Sequence, residues 1–168
     1  MVDIVTREKR SLMMAGIRAK DTRPEMIVRR LLHKAGFRFR LHAKKLPGRP
    51  DLVLKRWQAV IHVHGCYWHG HNCHFFRLPG TDTESWRKKF DTNRRRDAAV
   101  AAQLDQLGWR QLNVWECALD GRTRLPEPAL VEALCTWLRS DNRTGEITGV
   151  ESMKLPIDPV ATREFHRA

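Results

Sequence analysis

Between His62 and His74 the chain places five histidines and two cysteines in thirteen residues, His62-Val-His64-Gly-Cys66-Tyr-Trp68-His69-Gly-His71-Asn-Cys73-His74. Imidazoles and thiols at that density are metal-ligand chemistry rather than core packing. A carboxylate, Asp51, heads the apolar segment that precedes the cluster, and a second apolar segment, Ala59 to Val63, runs directly into it. A charge at the head of an apolar strand costs desolvation unless a cation or a donor partners it; the plain alternative is a turn carboxylate bonded to backbone. If the two segments pair as a hairpin with both ends at one edge, that edge holds Asp51, the main-chain carbonyl of Val63, and His64. Hard oxygens of this kind suit Mg²⁺, with phosphate and water in the remaining positions. An ion so placed can polarise a phosphoryl group and activate a water, the equipment of a phosphodiesterase. His64 and His69 carry imidazoles, the side chain whose unperturbed pKa lies nearest neutrality, and are candidates for the general base, and spacing does not choose between them.

Cys66-x4-His71-x-Cys73 is a second metal signal. Two thiolates and an imidazole need one more ligand for a closed tetrahedral Zn²⁺ site, and Cys117, just past a core strand, is the best fourth. A structural zinc would hold a long loop rigid beside an active site. Cys135 falls in the apolar pattern Leu130, Leu134, Trp137, Leu138 and reads as a small buried hydrophobe. His62 and His74 are left over and read as surface histidines.

These groups need elements to position them. Leu12, Met13 and Ile17 recur near helical spacing, predicting a helix over 7–20. Thr22, Arg23 and Pro24 start a second helix, with Glu25 favourable in its first turn and Gly36 as its C-cap. Residues 37–41 alternate apolar and basic, as a half-solvated strand does. Strands follow at 51–54 and 59–63, hairpin-paired through a tight connection at 55–58. Residues 64–83 form a loop too long to be idle. Thr83 caps a helix to about Leu107, Trp109 to Trp115 is another core strand, and Pro126 or Pro128 opens a last helix to about Arg139. From Ser140 the chain is polar and aperiodic and reads as a mobile tail. The expected architecture is α/β, a mixed central sheet with helices on both faces, divided as a domain over 1–139 and a tail over 140–168.

At 168 residues the chain can bury a core of two or three layers. Its 31 Lys and Arg against 19 Asp and Glu give a formal charge of +12 and point to nucleic acid as partner. No apolar run approaches the roughly 18 residues of a membrane span and no secretory h-region follows Met1, so the expected location is cytoplasmic, on nucleoid DNA, with no membrane partner. The helix from Glu84 carries Arg87, Lys88, Lys89, Arg94, Arg95 and Arg96. Trp86, Phe90, Asn93 and Asp97 share one face of it, continued by Val100 and Leu104. The far half of that stripe reads as core. The near half offers Trp86, Lys89 and Asn93, together with Tyr67 and Trp68 of the loop, as a DNA-facing set able to stack on bases or wedge between them. Asp97 could fix the tautomer of a loop histidine or merely pair with an arginine such as Arg94.

Taken together, Met14-x2-Ile17-x4-Thr22-x2-Glu25, Leu46-Pro-Gly-Arg-Pro-Asp51, His64-Gly-Cys66-Tyr-Trp68-His69-x-His71-x-Cys73 and Gly108-Trp-Arg…Val-Trp115-Glu-Cys117-Ala-Leu resemble the very short patch repair (Vsr) family of DNA mismatch endonucleases, from about Arg10 to Leu138. The resemblance implies a restriction-endonuclease-like fold and Mg²⁺-dependent nicking of one strand of duplex DNA, 5′ to the thymine of a T·G mismatch. Such mismatches arise by deamination of 5-methylcytosine, which ties the activity to a cytosine-5 DNA methyltransferase. It implies that Asp51 and the Val63 carbonyl hold magnesium, that His69 oriented by Asp97 is the base, and that Glu25 and His64 complete the site through water or phosphate. It implies zinc on Cys66, His71, Cys73 and Cys117, stack opening by Tyr67, Trp68 and Trp86, and an approach of Met14 from the minor groove. The acid-x-Lys pair of the wider nuclease superfamily is absent, since the matching strand ends Val63-His64-Gly65. Val63 stands where this family is expected to carry threonine, and His62 where an aromatic is expected. Two other readings compete: a restriction-type nuclease cutting both strands, which needs a symmetric dimer or two nicks, and a zinc-stabilised DNA-binding module without catalysis. Nothing in the sequence marks a dimer interface, so a monomer is expected. Recruitment of mismatch-repair factors and the flanking recognition sequence are left open by the sequence.

Overall fold

The computed structural model describes Lys9 and residues 20–150. Apart from Lys9 and Lys20, the helix expected over 7–20, with Met14 on it, and the end of the chain beyond 150 lie outside the described residues. The elements are α1 (Arg23–Lys34), β1 (Arg40–Leu41), β2 (Leu52–Leu54), a 3₁₀ turn (Lys55–Trp57), β3 (Ala59–His64), α2 (Cys66–His69), α3 (Thr83–Gln106), β4 (Arg110–Trp115), α4 (Glu116–Leu119), α5 (Glu127–Arg139) and β5 (Thr144–Ile147). One five-stranded sheet runs β1-β2-β3-β4-β5. The first two pairings are antiparallel and the last two parallel, so the sheet is mixed.

The β2–β3 hairpin closes tightly because the 3₁₀ turn ends on Gln58 in the left-handed region (φ 45°). Leu52 pairs with Ile61 and Leu54 with Ala59. Strand alternation then sorts side chains onto two faces. Leu52, Leu54, Ala59, Ile61, Leu112 and Val114 face one way, onto Val28, Leu31 and Leu32 of α1 and Leu134 and Leu138 of α5. Val53 and Val60 face the other way, onto Leu104 and Val100 of α3. The sheet is therefore sandwiched between helices.

The alternation has a consequence at the end of β3. His62 and His64 follow Val60 on the α3 face, where apolar packing gives out and a cleft opens. His62 is half-buried there rather than a surface residue, because it shares the face of Val60, which α3 covers. His74 is not free in solvent either: its Nδ1 lies 3.2 Å from the Thr123 hydroxyl. Gly48 lets the loop before β2 press on α3. It sits at φ 67°, and a Cβ there would come within 2.4 Å of Val100 Cγ1.

Three expectations need correction. Residues 144–147 are not tail but β5, hydrogen-bonded parallel to β4. The strand is short, polar and exposed on one side, so it leaves no apolar period to read. The strand over 37–41 shrinks to Arg40–Leu41, since Phe37 is turned into the core under α1 instead of joining the ladder. Finally, the N-cap position of α3 is not Thr83 but Asp82, in the left-handed region and without a side-chain cap bond; the Thr83 hydroxyl donates to the Pro79 carbonyl at 2.9 Å. Among the described residues, no helix is long and apolar enough to cross a membrane.

Candidate active site and metal centre

A cleft of about 910 Å³ opens between the α3 face of the sheet and α3. Its walls bring together Glu25, Asp51, Val63, His64, His69 and Asp97 from five separate stretches of chain. His62, Gln111 and Asn113 line it from the same face of β3 and β4.

Asp51 sits at the mouth of β2, where the antiparallel register places it beside the end of β3. Its Oδ2 accepts the Val63 N–H at 2.7 Å. Burial, opposed by that one amide and reinforced by the nearby Glu25 charge, pushes the carboxyl up from its ordinary 3.8 to about 6. A half-buried carboxylate with a single backbone donor is the electrostatic signature of a place for a cation.

His69 ends the four-residue helix α2, which Gly70 terminates at φ 63°. Its Nδ1 lies 2.5 Å from Asp97 Oδ2 on α3. Paired in this way, Nδ1 is the ring atom that donates to the carboxylate, which fixes the orientation of the imidazole. Asp97 also has an arginine neighbour, Arg96, but at the looser distance of 3.6 Å. The His64 ring packs 4.3 Å from that of His69 and 5.5 Å from that of His62, centroid to centroid. Burial drives His64 down to about 3 and His62 down to about 4, with the other imidazoles adding repulsion. Both rings are neutral at physiological pH and can accept or relay hydrogen bonds.

Behind the cleft, ligand atoms of Cys66, His71, Cys73 and Cys117 all lie within 4.8 Å of one another. Cys66 and Cys117 are buried, and burial pushes both thiols up. Their sulphurs nevertheless face amide donors: Cys117 N–H to Cys66 Sγ and Gly149 N–H to Cys117 Sγ, each at 3.3 Å. The His71 ring stacks on Trp115 at 4.1 Å with its Nδ1 turned 3.7 Å from Cys117 Sγ. Three sulphurs and one imidazole, converging and supplied with N–H donors suited to thiolate, fit a tetrahedral soft-ligand metal site. Glu116 ties this cage to the cleft, accepting the Cys66 N–H at 3.1 Å while lining the cleft wall.

Of the residues expected to face DNA, Tyr67, Trp68, Trp86 and Lys89 form one cluster. The Tyr67 ring lies 5.3 Å from Trp68 and 5.6 Å from Trp86, and the Lys89 ammonium sits over both indoles at 5.3 and 5.0 Å. Phe90 underneath is core. Asn93 is spent on the scaffold, donating to the Trp68 carbonyl at 2.8 Å. Arg87, Lys88, Lys89, Arg94, Arg95 and Arg96 are exposed beside this cluster.

Sequence reasoning missed Arg29 and His42. Arg29 is buried, donates to Glu25 Oε2 at 2.6 Å, and lies 3.0 Å from His42 Nε2. The Glu25–Arg29 spacing of one helical turn was the available signal; His42, in a loop, left none.

The family model described as DNA mismatch endonuclease Vsr matches residues 2–75. The DNA mismatch endonuclease Vsr of Escherichia coli (strain K12) is 42% identical over 147 residues, covering 88% of this chain and 94% of that protein. The type II nicking enzyme V.XorIIP of Xanthomonas oryzae pv. oryzae is 47% identical over 119 residues, 71% of this chain and 88% of that enzyme. V.NmeAIP, a type II nicking enzyme of Neisseria meningitidis, is 39% identical over 122 residues, 73% and 87% respectively.

Proposed function

The chain belongs to the Vsr family of DNA mismatch endonucleases, and from that premise we propose that it nicks one strand of duplex DNA 5′ to the thymine of a T·G mismatch. The lesion is the product of 5-methylcytosine deamination, so the enzyme works downstream of a cytosine-5 methyltransferase and starts very short patch repair, on nucleoid DNA in the cytoplasm. The five-stranded mixed sheet with its flanking helices is read as the restriction-endonuclease-like core.

The observation that carries this reading is the 2.5 Å approach of Asp97 to His69 Nδ1 in the cleft that Asp51 also lines. Asp97 holds the imidazole so that Nε2 faces the cleft as a proton acceptor. A water attacking the phosphorus loses its proton to Nε2, and the 3′ oxygen leaves with the electron pair of its bond to phosphorus and takes a proton from a cleft water. His64, in its neutral form, and the ion-paired carboxylate of Glu25 order water and phosphate around that path. The Asp51 carboxylate and the Val63 carbonyl would hold Mg²⁺, which when bound polarises the phosphoryl group and acidifies water. A main-chain carbonyl is indifferent to valine in place of threonine at position 63. Cys66, His71, Cys73 and Cys117 would hold Zn²⁺, which fixes α2 and so His69. Tyr67, Trp68 and Trp86, with Lys89 across two of their rings, would enter the stack beside the mismatch, and Met14 would meet the minor groove.

The test is a labelled duplex carrying T·G, with matched T·A and C·G duplexes beside it, in Mg²⁺. Nicking restricted to the thymine strand of T·G is expected, and Asp51→Ala should abolish it while DNA binding persists. Cleavage of both strands in matched DNA would replace this reading with a restriction-type one.

A further inference from the structure

Glu25 faces the cleft, yet it is not an idle carboxylate. Thr22-x-x-Glu25 has the spacing of a capping box at the start of α1, with the return bond taken from the Asp21 N–H. The Thr22 Oγ1 accepts the Glu25 N–H at 3.4 Å and donates its own hydrogen to Glu25 Oε1 at 3.0 Å. Glu25 Oε2 accepts the Asp21 N–H at 3.1 Å and the Arg29 guanidinium at 2.6 Å. The same guanidinium donates to Asp21 Oδ1 and lies 3.0 Å from His42 Nε2. On its far side His42 turns Nδ1 toward Asp51 Oδ1, 4.0 Å away. The Arg29 and Glu25 side chains are 8% and 5% exposed.

Without Arg29, Asp21, Glu25 and His42 would offer three ligand atoms within 4.8 Å of one another. Two carboxylates and an imidazole at that spacing are a competent divalent-cation set. The guanidinium stands among them. It brings one fixed charge and a planar fork of donors, and it has no open coordination position for water or phosphate. A divalent ion there would be separated from Asp51 only by His42 and would compete with it for charge.

We propose that Arg29 is a positioning residue for the nicking reaction: its guanidinium is the built-in cation of the Asp21–Glu25–His42 cluster, fixes Glu25 in the capping box, and leaves Asp51 as the carboxylate open to the catalytic ion. This rests on the reading of Asp51 as a metal-holding group. It gives Glu25 a defined state, ion-paired and reaching the cleft only through water. It also separates two carboxylates that otherwise look equivalent in the cleft wall.

Bound Mn²⁺ per chain, counted from the free-ion electron paramagnetic resonance signal with zinc-loaded full-length protein, tests this without reading activity. Arg29→Ala is expected to bind one more Mn²⁺ than wild type, and Arg29→Lys to return to the wild-type count. Arg29→Gln keeps a donor to Glu25 but no charge, should also gain the ion, and serves if the alanine variant does not fold. With T·G duplex, Arg29→Ala and Arg29→Gln should lose kcat by about tenfold or more with KM nearly unchanged, and Arg29→Lys should recover part of it. A purely structural role would lower thermal stability and leave the ion count alone. An unchanged count in both neutral variants, or nicking at the wild-type rate, overturns the proposal. Asp51→Ala should bind one ion fewer than wild type. If it does not, the metal-holding reading of Asp51 fails while the comparison among the Arg29 variants still stands as measured.

Discussion

Asp51→Asn separates what the cleft costs the fold from what it gives the reaction. The carboxyl is displaced from 3.8 to about 6, chiefly by burial. Because the folded value lies above the unfolded one, the folded state binds more protons between those two values. The folded protein is therefore favoured below that window, loses stability as the pH rises through it, and carries the full penalty above about pH 6. A displacement of about two pH units is worth up to ~3 kcal/mol at neutral pH, with the side chain only 23% exposed to relieve it. Asparagine removes the charge and keeps an oxygen to accept the Val63 N–H, so the ladder at that edge survives.

Without Mg²⁺ and with the thiolate cage loaded, Asp51→Asn should thus be more stable than wild type at about pH 8 by up to ~3 kcal/mol, with the gap closing toward about pH 4. Adding Mg²⁺ should stabilise wild type by mass action and leave the variant unmoved, while nicking is lost in the variant. Urea unfolding at the two pH values, with and without Mg²⁺, reads all of this. A variant less stable than wild type at pH 8 without Mg²⁺ would refute the claim that this carboxylate waits, at a cost, for a cation.

Other outcomes follow from the same geometry. Asp97→Asn keeps the shape but accepts poorly from His69 Nδ1 (now 2.5 Å from a carboxylate oxygen), and nicking should fall by about 10²- to 10⁴-fold with DNA binding intact; a decrease under threefold in single-turnover nicking would remove His69 as base. Because burial holds the Cys66 and Cys117 thiols in the protonated form, Zn²⁺ uptake by the apoprotein should release protons, seen in a weakly buffered indicator titration. Cys117→Ser should lower zinc retention against a chelator and destabilise α2. Replacing exposed Lys89 or Arg95 by alanine should weaken DNA binding across sequences and shallow the slope of log affinity against log salt by about 0.9 for each phosphate that is no longer neutralised; an unchanged slope would place that side chain off the duplex.

What could be read from the chain without coordinates divides along physical lines. Thr22 and Pro24 announce α1 because capping and ring constraint are local, and the β2–β3 hairpin follows from two apolar runs and a tight turn. A hairpin with both ends at one edge puts Asp51 beside Val63, and the Val63 N–H does donate to Asp51 Oδ2 at 2.7 Å. The cysteines signalled themselves by spacing, although the fourth, Cys117, needed the guess that β4 runs beside β3, which their parallel register provides. The rest was hidden because it depends on faces rather than on types. His62 looked dispensable because the strand's period says which face it shares with Val60 but not that α3 covers that face. Residues 144–147 join the sheet as β5 by backbone pairing with a single apolar side chain, Ile147, in the core, so no apolar period marks them. Arg29 looked like one more base in a chain of charge +12. Only the chain's third dimension, which brings the loop at His42 over the first turn of α1, turns that arginine into the buried centre of a cluster one imidazole away from Asp51.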